Sequence, residues 1–225
     1  MGINLGDIAT TPQNLQASVT PAPQVELPMG VETVDRGQGG MLSLNLSKGV
    51  SLDLTKTLPT LKKVKAGLGW DAVQGQSMDL DVFALLLHNG KIKDTSDIVF
   101  FNQSNTNKGV VLSGDNRTGE GEGDDETISV NLDNVPKDVT EVLFFVNIFD
   151  AMTKQQNFGM VKNSYIRLIN EETGKEEAIY VLNEQGGLYT TFKFAGLQRN
   201  ANGWSFKTYG EGTHGNVQEI ANKYF

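Results

Sequence analysis

The chain has 225 residues, none of them cysteine and only two of them histidine, His88 and His214. Without thiols it has no thiolate nucleophile, no cysteine-based zinc site and no disulfide, so cysteine usage does not indicate a redox compartment. Two imidazoles are too few for an ordinary histidine-rich metal centre. No apolar run approaches the roughly 20 residues needed to span a bilayer as a helix. The start, "MGINLGDIAT", lacks the basic beginning and apolar stretch of a secretory signal, and Gly6 stands where a myristoylation signal carries Ser or Thr. A soluble, cytoplasmic protein is expected. Basic residues are also in deficit: 19 Lys and Arg against 27 Asp and Glu leave a net charge of −8. That excludes a basic stripe for phosphate backbones and any general attraction to anionic lipid headgroups.

Hydrophobic residues make up 38% of the chain, which at this length suffices for one large core or two small ones. Proline is concentrated rather than spread. Four of the six prolines fall in "TTPQNLQASVTPAPQVELPMG", which has no apolar periodicity. Residues 1–40 therefore read as a flexible, polyproline-like N-terminal arm, and 41–225 as the folded domain.

From Leu42 the pattern changes. "LSLNLS" and "VSLDLT" alternate apolar and polar residues around a "KG" turn, the period of half-buried strands. Further strands are expected at Leu80–Leu87, Ile98–Phe101, Ile128–Leu132, Val142–Ile148, Ser164–Asn170, Glu177–Val181, Thr190–Arg199 and Trp204–Thr208. The turn signals "HNGK", "NEETGK" and "NANG" separate several of them. Helix is expected only near Ala151–Gln156 and in "GNVQEIANKYF". This describes a mainly β protein, an antiparallel β-sandwich with a few short helices.

One stretch, "GDNRTGEGEGDDE", packs six carboxylates and four glycines beside a single arginine, Arg117. Two carboxylates about 5 Å apart repel by roughly 3 kcal/mol at an effective dielectric of about 20. Either the loop stays extended in water or a cation fills it. Interleaved glycines let side-chain and backbone oxygens converge, and a second acidic group lies upstream in "GLGWDAVQGQSMDLDVFALLL". Asp79 and Asp81, two apart at the start of a strand, share one face. Hard oxygen donors without sulfur and with almost no imidazole select Ca²⁺ or Mg²⁺. The EF-hand spacing fails, because Arg117 and Gly119 fall where ligands are required.

"GLGWD", "DLD", "GDNRTGEGEGDDE", "VPKDV", "KQQNFG" and "GWSFKTYGEGTHG" occur in an order and spacing that resemble the TerD family of tellurium-resistance and general-stress proteins. The likeness runs from about Leu42 to Phe225. It implies a β-sandwich with a paired calcium site, and it carries a metal role onto Asp71, Asp79, Asp81, Asp115, Asn116, Asp124, Asp125 and Glu126. Glu122 stands where the family commonly has aspartate, and it joins the candidates as a longer carboxylate. Phe149 in "NIFDA" departs from the polar residue common in relatives.

The resemblance implies a non-enzymatic calcium-binding module, with about two Ca²⁺ ions, that recruits protein partners. Two readings compete with it. One is a structural assembly component tethered by the arm. The other is a Mg²⁺-dependent hydrolase or phosphotransferase, against which stand the absence of a distinct general base and of a phosphate-binding loop. Serine catalysis lacks a His–Asp partnership. Trp70 and Trp204 are expected in the core or under the loops, His88 and His214 in solvent, and Asn157 as a hydrogen-bonding residue that caps or turns the chain.

Overall fold

The computed structural model describes residues 29–35, 42–71, 78–113, 124–182 and 187–225. Within them the alternating segments form β1 (Val31–Asp35), β2 (Leu42–Leu46), β3 (Ser51–Asp53), β4 (Lys63–Asp71), β5 (Leu80–Leu87), β6 (Ile98–Val99) and β7 (Val110–Ser113). Then come β8 (Glu126–Asn131), β9 (Glu141–Ile148), β10 (Lys162–Asn170), β11 (Glu176–Val181), β12 (Thr191–Asn200) and β13 (Gly203–Thr213). Three short helices intervene: α1 (Leu54–Thr57), α2 (Ala151–Lys154) and α3 (Val217–Asn222).

The strands form two sheets, one in the order β1-β2-β11-β10-β4-β8-β7 and the other β3-β13-β12-β9-β5-β6. All pairings are antiparallel except β11 with β2. The expected β-sandwich is therefore what forms. Its main core lies between the sheets, with Val64, Ala66, Leu68 and Trp70 of β4 facing Leu80, Val82, Ala84 and Leu86 of β5. The other side of β5 is also covered: Phe83, Leu85 and Leu87 pack beneath Ile220 and Ala221 of α3. Burial on both faces explains why "LDVFALLL" is almost continuously apolar.

Several expectations need correction. Val31–Asp35, assigned to the arm, pair along β2 through Val31↔Leu46 to Asp35↔Leu42; residues 1–28 and 36–41 lie outside the described residues. The "KG" turn does not close a hairpin, because β2 and β3 belong to different sheets. "VSLDLT" keeps only three strand residues before Asp53 caps α1, accepting from the Lys56 N–H. Strands β4 and β7 were missed. β4 is interrupted by Gly67 and Gly69, and β7 is only four residues long. Trp70 and Trp204 are buried as expected. His88 is not solvated: its side chain is 8% exposed, with Nε2 3.2 Å from Asp97 Oδ2 and Nδ1 3.1 Å from Asp138 Oδ2. Asn157 turns the chain as expected, its carbonyl accepting from the Met160 N–H at 3.0 Å, but its side chain makes no cap.

Register gathers the acidic motifs at one end of the sandwich. Asp71 lies opposite Lys162, Leu80 opposite Ile148, Ser113 opposite Thr127 and Thr191 opposite Asn147. In each connection between these strands, the chain leaves and re-enters the sheets at this carboxylate end.

Candidate functional site

The site begins with the two glycines of β4. Val64, Ala66, Leu68 and Trp70 point inward, so Gly67, Gly69 and Asp71 face out from the seven-stranded sheet. The Asp124 carboxylate lies directly on Gly67, where an added Cβ would come within 2.2 Å of Oδ2. The Tyr165 hydroxyl covers Gly69 in the same way, at 2.3 Å. Arg167 Nε donates to Asp124 Oδ1 at 2.6 Å, and its Nη1 donates to Glu176 Oε2 at 3.3 Å. Ser43 Oγ completes the chain by donating to Glu176 Oε1 at 2.7 Å.

Electrostatics follow from this packing. Burial pushes the Tyr165 phenol up to about 12, and the Asp124 charge adds to the rise. Burial acts against the Arg167 cation, but the bond and charge of Asp124 outweigh it and hold the guanidinium above its ordinary value. Asp124 therefore already carries a positive partner.

Asp125 and Glu126 finish β-ladders that the strands leave open. The Asp125 N–H donates to Leu68 O at 2.8 Å, and its Oδ2 accepts from the Trp70 N–H at 3.1 Å. Glu126 lies opposite Leu68, faces the core and is 3% exposed. Its Oε2 accepts from the Val82 N–H of the other sheet at 2.6 Å. β6 pairs only with Ala84 and Leu85, so it does not reach that N–H. Asp71 is exposed, with Oδ2 accepting from Asn163 Nδ2 at 2.5 Å.

Asp81 lies opposite Asn147 and shares the outer face of β5 with Phe83, on the six-stranded sheet. It is 6% exposed. The Asp79 carbonyl just ahead of β5 accepts from the Phe149 N–H at 2.8 Å. The strand order thus divides the expected ligands. Asp71 and Asp124 lie on one outer face and Asp81 on the other, with Glu126 between the sheets. Among the described residues, no group of three or more His, Asp or Glu is placed to hold one metal ion. Asp115, Asn116 and Glu122, with Arg117, lie outside the described residues.

Sequence reasoning missed Asn163, Tyr165 and Arg167, which hold the acids from β10. Their spacing of two, alternating with the buried Ser164, Ile166 and Leu168, is the signal that marks them as one outer face. It also missed the exposed Phe101, Phe149 and Met152 beside Asp81, since single exposed apolar residues carry no pattern until the loops are brought together.

The comparisons agree with this architecture. The TerD domain model matches residues 42–224. "Tellurium resistance protein TerD" of Serratia marcescens is 42% identical over 187 residues, covering 81% of this chain and 97% of that protein. "General stress protein 16U" of Bacillus subtilis is 42% identical over 188 residues, with the same coverage of 81% and 97%. The crystal structure of a homologue of telluride resistance protein (TerD) from Streptomyces coelicolor superposes with a TM-score of 0.60 at 23% identity, over 72% of this chain and 95% of that one. From β2 to the C-terminus, the chain belongs to the TerD family.

Proposed function

We propose that this protein is a non-enzymatic calcium-binding module of a stress-response or tellurite-resistance system, and that it recruits protein partners through an acidic loop ordered by the ions. The observation that carries the reading is the convergence of "GLGWD", "DLD" and "DDE" on one end of the sandwich, with the glycine- and acid-rich residues 114–123 beginning and ending there. Relatives bearing tellurium-resistance and general-stress names support the physiological setting. Those names describe resistance and stress proteins rather than enzymes, which favours binding over catalysis.

The donor set fits a hard divalent cation. It consists of carboxylate and amide oxygens only, and flexible oxygen coordination of six to eight ligands suits Ca²⁺ better than Mg²⁺. Asp71, Asp79, Asp81 and Asp125, together with Asp115, Asn116 and Glu122, would hold the ions. Division of the described carboxylates between two faces favours two separate ions over one shared cluster. Asp124 would act chiefly as a support, since its Oδ1 is paired with the Arg167 cation, and Glu126 likewise, since it is buried between the sheets with Oε2 on the Val82 N–H. Bound calcium would supply positive charge that relieves carboxylate repulsion and orders the loop.

The test is calorimetric titration of the full chain with Ca²⁺, with Mg²⁺ as competitor. The expected result is two Ca²⁺ ions per chain, bound in preference to Mg²⁺. Affinity weaker than about 1 mM, or indifference between the two cations, would overturn the reading.

A further inference from the structure

Six of the eight large apolar side chains exposed among the described residues, Phe101, Phe149, Met152, Met160, Leu188 and Tyr189, lie on the carboxylate-end connections. Scattered exposure would need no explanation, but this concentration does. Three of them, Phe101, Phe149 and Met152, line a groove of about 950 Å³ on the outer face of the six-stranded sheet. Asp81, Asn147 and Thr190 lie along it. One wall is aromatic: Phe100 and Phe101 meet edge to face at 5.5 Å, and Phe101 meets Phe149 the same way at 6.1 Å. The opposite wall is the turn into α3. It is fixed in place, because Asn147 Nδ2 donates to Thr191 Oγ1 at 3.0 Å and to Gly215 O at 3.1 Å.

The groove is acidic where it is wet. Asp81, Asp150 and Glu219 line it against a single lysine, Lys223. Lys223 Nζ donates to Thr213 Oγ1 and His214 O, and Glu219 Oε2 accepts from the Asn216 N–H at the start of α3. Asp150 is exposed and makes no cap, with its backbone in the left-handed region at φ 56°. Lys154 Nζ already sits 5.2 Å from the Phe149 ring centre, which shows that this aromatic face takes a cation.

We infer that this groove docks a segment of a partner protein in which an aromatic or long aliphatic anchor stands beside lysine or arginine. Charge decides between the occupants an apolar groove could take. Residues 1–40 contain four acids against a single basic residue, Arg36, so the N-terminal arm is not complementary. A second copy would bring a net charge of −8 and the same acidic end. An anionic bilayer would be repelled. A basic apolar segment satisfies both the aromatic wall and the carboxylates. The inference deepens the recruitment reading and rests on it for its purpose; Asp81 belongs to both the groove and the calcium donors, so binding is read with and without calcium.

The experiment uses the full chain and three labelled synthetic peptides of equal length, built from Leu and Lys with one Trp, from Gly and Lys, and from Leu and Glu with one Trp. Binding is read by fluorescence anisotropy and by the Met152 methyl resonance, both in calcium and in chelator; phosphatidylglycerol vesicles and sedimentation of the protein alone are run in parallel. The expected result is binding of the Leu/Lys peptide only, with a shifted Met152 signal. The double variant Phe149→Ser, Met152→Ser should weaken it about tenfold, and Asp150→Asn severalfold, with melting transitions retained. Equal binding of the Gly/Lys peptide, unchanged affinity in the double variant, preference for vesicles, or self-association through these residues would each overturn the proposal. Peptide binding without any calcium binding would overturn the calcium reading alone. Calcium binding without peptide binding would overturn the groove alone.

Discussion

Glu126 reaches from one sheet to the other to accept the Val82 N–H at 2.6 Å, and it is buried, 3% exposed. A buried N–H without an acceptor costs about 1–3 kcal/mol, more when the lost partner is charged. Glu126→Ala should therefore destabilise the domain by about that amount, and Glu126→Gln by clearly less, because its amide oxygen can still accept. Urea denaturation of the two variants checks this. Equal losses would mean that charge rather than the hydrogen bond matters.

Gly67→Ala should be costly for a reason unrelated to backbone freedom, since its Cβ would collide with the Asp124 carboxylate. Overpacking of this kind costs roughly 1–3 kcal/mol. The double variant Gly67→Ala, Asp124→Ala should recover part of the loss, because the obstructing group is gone. Absence of that coupling in a double-mutant cycle would show that the carboxylate does not rest on Gly67.

Asp97 makes stability depend on acid. Burial pushes its carboxyl up, but the Lys108 ammonium at 2.6 Å, the Lys93 N–H at 3.0 Å and His88 together hold it below the ordinary carboxylate value. A folded-state pKa below the unfolded one contributes stability that is present above about pH 4 and is lost as pH falls through the folded value. Asp97→Asn should therefore lower stability near neutrality and flatten the acid limb of the profile. A variant whose stability falls as steeply between about pH 4 and pH 2 as the parent would contradict this. Lys108→Met, which strands the buried Asp97 charge, should cost roughly 3 kcal/mol.

Calcium should raise the melting temperature, since a ligand at a hundred times its dissociation constant adds about 2.7 kcal/mol when only the folded state binds. Asp79→Asn and Asp81→Asn should weaken binding more than Asp124→Asn, whose carboxylate is held by Arg167, or Glu120→Gln. Glu122→Asp should tighten the weaker of two binding events and leave the stronger within about threefold. Calorimetry on this series reads all five. Equal effects throughout would mean a diffuse ion atmosphere instead of defined sites.

The sequence by itself determined the class of fold, because period-two alternation and frequent turn signals admit little but a β-sandwich. It also determined the family, through motifs such as "GLGWD" and "GDNRTGEGEGDDE". It could not show that β2 and β3 part into different sheets, since alternation names a strand's two faces but not its neighbours. Nor could it show that His88 is clamped between Asp97 and Asp138, because those partners are 9 and 50 residues away. Spacing places Asp79 and Asp81 on one face of a strand. Only sheet order puts Asp81 on the opposite side of the molecule from Asp124, reserves Asp124 for Arg167, and turns scattered Phe101, Phe149 and Met152 into one groove. Local periodicity is written in adjacent residues, whereas a site is assembled from chain segments that only packing brings together.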